Sequence, residues 1–266
     1  MSSIHPAAIV DPAAEIGEGC SIGPFCVVGP KVSLGAGTVL HSHVVVEGKT
    51  TIGEETQIFP FSSIGHRPQD LKYGGEESEL EIGRRCMIRE HVTINPGTKG
   101  GGMLTKVGDG CLLMVGAHVA HDCIVGNGVI LANNATLAGH VVIGEGAILG
   151  GLCAVQQFVR IGRHAMIGGM AGIRQDVVPF GLVFGRPGLL TGLNMVGLRR
   201  ASANRAEIEA LRKLYDTAFD RSAGTLSDRL KAIEEKPQAG GLADAFLSFL
   251  QADSAHGFMQ PERDGH

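Results

Sequence analysis

An aliphatic residue recurs at every sixth position over most of this chain, and no other feature constrains its fold as strongly. The first run occupies residues 4–64 without interruption and resumes in the same phase over residues 82–94. A second run, displaced by one position, occupies residues 107–173. A fixed period of this length is typical of solenoids, in which each repeat is one structural unit stacked on the next.

The residues on either side of each aliphatic indicate which solenoid this is. The position two before it is usually small, and the position after it is often glycine, as in the stretches CSIG and AILG. Each hexad is therefore a short strand and a tight turn, and three hexads close one triangular coil with the aliphatic side chain inside. Such sequences resemble the hexapeptide-repeat proteins, and that resemblance implies a left-handed parallel β-helix.

The six cysteines all fall at the small position of the repeat. Within each run they lie on different faces of the prism, so neither disulfides nor a cysteine-based metal cluster is expected. We predict buried, reduced side chains. The cysteines are Cys20, Cys26, Cys86, Cys111, Cys123 and Cys153.

Two interruptions and a change of period divide the chain. Residues 65–81 and 95–106 break the repeat and are predicted to be loops that leave the prism, where functional residues often lie. After Ile173 the repeat fades, and helical spacing follows from about residue 204 with a capping-box start. The predicted domains are a β-helix over residues 1–186 and a helical domain over residues 187–266, with a frayed tail from about Ser254.

Composition excludes several classes of protein. The 266-residue chain has a formal net charge of −4, so no bulk attraction to nucleic acid is expected. It lacks an apolar run of membrane-spanning length and a signal-peptide pattern at its start, so we predict a cytoplasmic protein without stable membrane insertion.

The stretch HVAHDC, residues 118–123, contains the strongest candidate chemistry. Val119 is the inward aliphatic, so His118 and His121 are expected near the surface. Gly139 lies eighteen residues after His121, one coil further on and about 4.8 Å along the axis. His121 as a base, Asp122 as an orienting acid and the Gly139 N–H as an oxyanion donor would suffice for acyl transfer.

Two other interpretations of this stretch stay open on spacing alone. Histidine and aspartate are common turn residues, so the protein could be a catalytically inert scaffold. His118, His121 and His140 could also converge on a zinc ion.

Several segments resemble one family within the hexapeptide-repeat proteins. They include SIGHRPQDLKYGGE, AHVAHDCIVGN, ILANNATLAGHV and GLNMVGLRR, and they extend from residue 4 to about residue 205. QDLKYGGE and ANNATLAGHV are the most specific, and the chain is identified as a member of the UDP-N-acetylglucosamine O-acyltransferases. A sister family that N-acylates a glucosamine nucleotide is the alternative, but its members usually carry an additional N-terminal domain.

The resemblance implies a reaction and an assembly. A homotrimer would move an R-3-hydroxyacyl group from acyl carrier protein to the 3-hydroxyl of UDP-N-acetylglucosamine, the first step of lipid A biosynthesis. The donor would be the thioester on the carrier's 4'-phosphopantetheine, and neither a further cofactor nor a metal would be needed.

The resemblance also implies residue roles. His121 would be the general base, Asp122 would orient it, and the Gly139 N–H would stabilise the oxyanion. The other implied substrate-binding residues are Asp70, Lys72, His118, His140, Gln157, Asn194 and Arg200.

Three further expectations come from the same resemblance. Gly169 occupies the position of an acyl-length ruler, and glycine there predicts room for a longer chain. Gln156 stands where relatives often have histidine, so catalysis should depend on His121 alone. A basic stripe could dock the acidic carrier protein, and it comprises Arg84, Arg85, Arg160, Arg163, His164 and Arg174.

Overall fold

The repeat positions build three parallel sheets that form the faces of a triangular prism. The computed structural model describes residues 1–200, 204–234 and 241–261. In the coils before the first interruption, a strand pairs with the strand eighteen residues later, as in Ile4 with Ile22 and Val28 with Val46. The chain is a left-handed parallel β-helix followed by helices, which confirms the predicted fold class.

Strands of two residues predominate because each face of a coil uses only one hexad. Sheet 1 contains Ser3–Ile4, Ser21–Ile22, Val39–Leu40, Gln57–Ile58, Met87–Ile88, Leu112–Leu113, Ile130–Leu131, Ile148–Leu149, Met166–Ile167, Gly181–Phe184 and Leu189–Leu193. Sheet 2 contains Ile9–Val10, Val27–Val28, Val45–Val46, Ser63–Ile64, Thr93–Ile94, His118–Val119, Thr136–Leu137, Ala154–Val155 and Gly172–Ile173. Sheet 3 contains Glu15–Ile16, Val32–Leu34, Lys49–Ile52, Glu79–Ile82, Leu104–Val107, Ile124–Val125, Val142–Ile143 and Arg160–Ile161.

Turns at three vertices join these sheets. The first vertex follows sheet 1, the second vertex follows sheet 2, and the third vertex follows sheet 3 and leads into the next coil. In many of these turns, the second of the two central residues has a positive φ although it is not glycine, as in His43 (59°) and Asp122 (60°). The tight corner imposes this uncommon conformation, and its direction fixes where the side chain projects.

The core is the prism interior. The aliphatic residues of the repeat are buried from Ile22 to Ile173, whereas Ile4 is exposed because it lies in the first coil, at the open end. All six cysteines are buried and free, as predicted.

Both predicted interruptions leave the prism at the second vertex, and the register is kept across each of them. Ile64 pairs with Ile94, and Ile94 pairs with Val119. The loops are shorter than predicted because the next strands of sheet 3 begin early, at Glu79 and Leu104.

The C-terminal part combines a hairpin with four α-helices in the described ranges. Gly181–Phe184 and Leu189–Leu193 pair antiparallel at the edge of sheet 1, so the predicted boundary after residue 186 falls inside a hairpin. The helices are α1 (Met195–Arg200), α2 (Arg205–Phe219), α3 (Leu226–Glu234) and α4 (Leu242–Gln251), with a 3₁₀ turn at Arg221–Ala223. Asn204 and Glu207 form the predicted capping box of α2.

The segment after α4 is packed against the prism up to residue 261, so the predicted fraying from Ser254 was wrong there. Phe258 bridges to Asp176 in parallel, and Met259 is buried. The Asp176 carboxylate accepts from the backbone N–H and the Nε of Arg160, both at 2.7 Å, and the Arg160 guanidinium lies 4.5 Å from the Phe249 ring. Arg160 thereby links the last coils of the β-helix to α4 through its contact with Phe249.

Candidate active site

Most of the predicted site residues meet at the second vertex. The two loops leave the prism there, and the turns at residues 120–123, 138–141 and 156–159 stack above them in successive coils. This convergence follows from the phase of the repeat, because positions eighteen residues apart lie on the same edge of the prism.

His121 and Asp122 form a buried pair in the first of these turns. His121 Nδ1 lies 2.8 Å from Asp122 Oδ2. The His121 side chain is 9% exposed, and the Asp122 side chain is fully buried. Because a carboxylate only accepts, Nδ1 carries the proton, and Nε2 is left with its lone pair as a potential base.

The second loop holds the Asp122 carboxylate. The Thr98 backbone N–H donates to Oδ1 at 2.8 Å, and the Thr98 hydroxyl donates to Oδ2 at 2.6 Å. The backbone N–H of Asp122 donates to the Thr105 hydroxyl at 2.7 Å. The sequence did not single out Thr98, because nothing in the repeat pattern shows where a loop outside the prism returns.

Gly139 lies directly against the His121 ring. A Cβ at this position would lie 2.7 Å from His121 Nε2, so a side chain and the observed ring cannot coexist. The His140 backbone N–H donates to the His121 carbonyl at 3.0 Å, which locks the two turns together. Among the described hydrogen bonds, none is donated by the Gly139 N–H.

Two further histidines border the pair. His118 Nδ1 lies 2.7 Å from the Thr93 hydroxyl, and burial, with a smaller contribution from His121, lowers the pKa of His118. His140 stacks on Phe158 with a centroid separation of 4.4 Å, and its Nε2 lies 3.9 Å from Asp122 Oδ2. Burial also lowers the pKa of His140, partly offset by the Asp122 charge, so both rings favour the neutral form.

Asp70 and Lys72 of the first loop act on this cluster through their charges. The Asp70 carboxylate raises the pKa of His140 and the Lys72 ammonium lowers it, both by less than burial does. Asp70 also accepts from the Lys72 backbone N–H at 3.0 Å, which shapes the loop.

The C-terminal segment contributes a histidine that the repeat pattern could not reveal. His256 Nε2 donates to the Gln157 carbonyl at 2.8 Å and lies 3.5 Å from the Gln156 amide nitrogen. Both glutamines are exposed on the turn above Gly139. The predicted contact residue Gln157 therefore lies at the same vertex as His121.

The remaining predicted residues lie elsewhere on the chain. Gly169 is an exposed residue at the first vertex. Asn194 packs at the third vertex, where its amide donates to the His164 carbonyl at 3.0 Å and its oxygen accepts from the Gly197 N–H at 2.9 Å. Arg200 ends α1, and its side chain lies outside the described part of the structure.

The structure changes the candidate metal set. His121, Asp122 and His140 each place a potential ligand atom within 4.8 Å of the others, whereas the predicted third ligand, His118, is bonded to Thr93. Asp122 Oδ2 already accepts from Thr98 and from His121. The Asp122 carboxylate is therefore committed to internal hydrogen bonds, and a metal bound to Oδ2 would compete with them.

Three of the six residues of the predicted basic stripe form ion pairs with acidic side chains. Arg84 pairs with Asp109 at 3.0 Å, Arg160 with Asp176 at 2.7 Å, and Arg163 with Glu145 at 3.6 Å. These pairs weaken the stripe as a docking surface for an acidic protein.

Two family models match this chain. One described as bacterial transferase hexapeptide (six repeats) matches residues 13–48 and 104–139. A second, described as UDP-N-acetylglucosamine O-acyltransferase domain 2, matches residues 176–259. The triangular prism and these matches together define a hexapeptide-repeat transferase.

Individual relatives narrow the class to one family. An acyl-[acyl-carrier-protein]–UDP-N-acetylglucosamine O-acyltransferase from Caulobacter vibrioides is 52% identical over 98% of this chain and 99% of its own length. The Azorhizobium caulinodans enzyme of the same name is 54% identical over 87% of this chain and 85% of its own length. The chain belongs to the UDP-N-acetylglucosamine O-acyltransferase family, so the predicted family and enzyme class are confirmed.

Solved structures agree. A UDP-N-acetylglucosamine acyltransferase crystal structure superposes with a TM-score of 0.93 at 42% identity, over 98% of this chain and all of that one. The Acinetobacter baumannii structure superposes with a TM-score of 0.90 at 44% identity, over 97% of this chain and 99% of that one. In the ranges described here, no helix is both long and apolar enough to cross a bilayer.

Proposed function

We propose that this protein transfers an R-3-hydroxyacyl group from acyl carrier protein to the 3-hydroxyl of UDP-N-acetylglucosamine, as the first step of lipid A biosynthesis in the cytoplasm. The observation that carries the proposal is the His121–Asp122 pair beneath Gly139. The free Nε2 of His121 and the Gly139 backbone N–H lie at the same vertex of the prism. Relatives that are about 50% identical over nearly the full length are named for this reaction.

The geometry supports a direct acyl transfer. His121 Nε2 takes the proton from the sugar hydroxyl as its oxygen attacks the thioester carbon, and the Gly139 N–H donates to the oxyanion that forms. Collapse of the tetrahedral intermediate breaks the C–S bond, and the departing sulfur takes the proton back from His121. The products are the 3-O-acylated nucleotide sugar and the carrier's free thiol.

Asp122 has an orienting role in this scheme. It accepts from His121 Nδ1, which keeps the ring in the tautomer with a basic Nε2 and stabilises the imidazolium that forms. A base positioned in this way typically contributes about 10²–10⁴-fold to the rate. Gln156 cannot carry a proton, so His121 is the base in this proposal.

The substrate-binding roles divide between the loops and the turns. Asp70 and Lys72 would hold the sugar and the incoming acyl group, and His118, His140 and Gln157 would line the sugar and pantetheine end of the cleft. Asn194 already uses both ends of its amide within the chain, so a nucleotide contact would have to share or replace those bonds. Arg200 is retained as the phosphate contact.

We further propose that the active form is a homotrimer. Within one chain, Gly169 and Asn194 lie at different vertices from His121, so one cleft can use all three only if neighbouring prisms contribute them. The first vertex also exposes large apolar side chains at its corners, with Phe25, Phe61 and Leu152 each more than half exposed. A neighbouring chain packed there would cover this surface.

The test is a turnover assay on wild-type protein and on His121→Ala, with R-3-hydroxyacyl carrier proteins of several chain lengths. Wild type is expected to form 3-O-acylated product, and the variant is expected to lose about 10²-fold or more. Undiminished turnover by a folded His121→Ala variant would refute the base assignment. Stoichiometric zinc in the purified protein, with activity lost on chelation, would instead support the metal set His121, Asp122 and His140.

The acyl ruler is tested in the same assay. Gly169→Met should shift the preferred donor to a shorter chain while leaving turnover with short donors intact. An unchanged donor preference would remove Gly169 from the proposal.

A further inference from the structure

We propose that Thr98 is a positioning residue for the His121–Asp122 pair, and that the glycine-rich second loop exists to hold its two donors on the carboxylate. The inference rests on the proposed function for its catalytic meaning. The geometry that motivates it is independent of substrate.

Thr98 contacts both oxygens of Asp122, and both residues are buried. Its backbone N–H donates to Oδ1 at 2.8 Å, and its hydroxyl donates to Oδ2 at 2.6 Å. Oδ2 is also the oxygen that accepts from His121. Thr98 is 3% exposed, and the Asp122 side chain is fully buried. Hydrogen bonds to a charged acceptor are strong, and at a buried site they define the orientation of the carboxylate.

The loop is shaped to deliver these donors. The Thr98 carbonyl accepts from the backbone N–H groups of Gly101 and Met103, both at 3.0 Å, so the loop closes on itself around Thr98. A Cβ at Gly101 would overlap the Asp122 carboxylate. Glycine at this position is therefore what allows the loop backbone to approach the acid.

Hydrogen bonds with the first loop hold the second loop in place. The Glu76 carboxylate accepts from the backbone N–H groups of Lys99 at 3.0 Å and Gly74 at 2.8 Å, and these bonds lower its pKa. The Asn95 amide donates to the His66 carbonyl at 3.1 Å. A continuous set of contacts thus leads from the loop that carries Asp70 and Lys72 to the acid behind the base.

The hydroxyl has a predictable effect on the base. It offsets part of the charge on Oδ2, so its removal leaves a carboxylate that attracts the imidazolium form of His121 more strongly. His118, His140, Asp70 and Lys72 also bear on this cluster, but the substitution changes none of them. Loss of the hydroxyl should therefore raise the midpoint at which His121 takes up a proton.

The primary experiment needs no turnover. In full-length protein labelled with ¹⁵N-histidine, the His121 signals are assigned with His121→Gln, and their titration is compared in wild type, Thr98→Val and Thr98→Ser. Thr98→Val keeps shape and backbone donor but lacks the hydroxyl, so its midpoint should move to higher pH. Thr98→Ser should titrate like wild type.

A kinetic comparison then links the contact to catalysis. Thr98→Val should lower kcat by roughly 10–100-fold, by analogy with the partners that orient metal-ligating histidines, with little change in KM. Its acidic limb of kcat/KM should move in the same direction as the titration, and Thr98→Ser should rescue both. Thr51→Val, on an exposed strand position of sheet 3, is the matched control and should behave as wild type.

The outcomes separate the two proposals. If Thr98→Val shows the wild-type His121 titration and wild-type kinetics, the inference is wrong. It is also wrong if Thr98→Val and Thr98→Ser lose the same amount of kcat while their pH profiles stay unchanged, because the loop would then be only a structural element. An altered His121 titration in a protein without turnover would leave the positioning role intact and refute the proposed reaction. If Thr98→Val does not fold, Gly101→Ala disturbs the same carboxylate from the loop side and should also displace the midpoint.

Discussion

Substituting alanine for Gly139 tests the packing of the base most sharply. The added Cβ would lie 2.7 Å from His121 Nε2, whereas an ordinary contact is about 3.4–4 Å, so the ring must move by roughly 1 Å. A misplacement of this size at a reacting group can cost about 10²-fold in rate. We therefore expect Gly139→Ala to lower kcat by about two orders of magnitude, because the imidazole no longer faces the hydroxyl.

The assay is steady-state turnover combined with a double-mutant cycle. If the methyl group acts through the ring, it should cause little further loss in the His121→Ala background, where the space is empty. Thermal unfolding of each variant checks that the β-helix is intact. Wild-type kcat in Gly139→Ala, or full additivity of the two losses, would refute the proposed contact between turn and base.

Three other perturbations have defined outcomes. Arg160→Met leaves the fully buried Asp176 without its cationic partner and should cost about 3–5 kcal/mol in urea unfolding; a loss below about 1 kcal/mol would show that this ion pair contributes little to stability. Burial raises the pKa of Cys123 to about 12 and of Cys153 to about 11, so neither should react with a disulfide reagent at about pH 8 until the protein is denatured, and rapid native labelling would contradict their burial. Burial lowers the pKa of His118, so the unfolded chain binds more protons than the folded one and stability should fall as pH drops below about 6.5. In thermal scans, His118→Gln should reduce the dependence of the unfolding temperature on pH, and the same dependence in wild type and variant would exclude a contribution of His118.

The repeat allowed the prism to be predicted in detail. Each interior position must be filled by an aliphatic side chain, so spacing alone located the strands, the buried cysteines and the exits of both loops. Counting in steps of eighteen also placed Gly139 over His121, and the structure shows that contact.

What lies outside the period could not be predicted in the same way. The Thr98–Asp122 bonds depend on how the second loop folds back, and the position of His256 depends on how the C-terminal segment docks. The hairpin over residues 181–193 is antiparallel and has no hexad signal. Asn194 was predicted from the resemblance to be a substrate-binding residue, and the structure shows that it also caps α1.

The most direct measurement is the structure of the product formed by wild-type protein from UDP-N-acetylglucosamine and an R-3-hydroxyacyl carrier protein. Mass spectrometry and NMR are expected to show one hydroxyacyl group, esterified to O-3 of the glucosamine ring, together with release of the free carrier thiol. No product from any donor length, or an acyl group attached at another position, would contradict the proposed transfer.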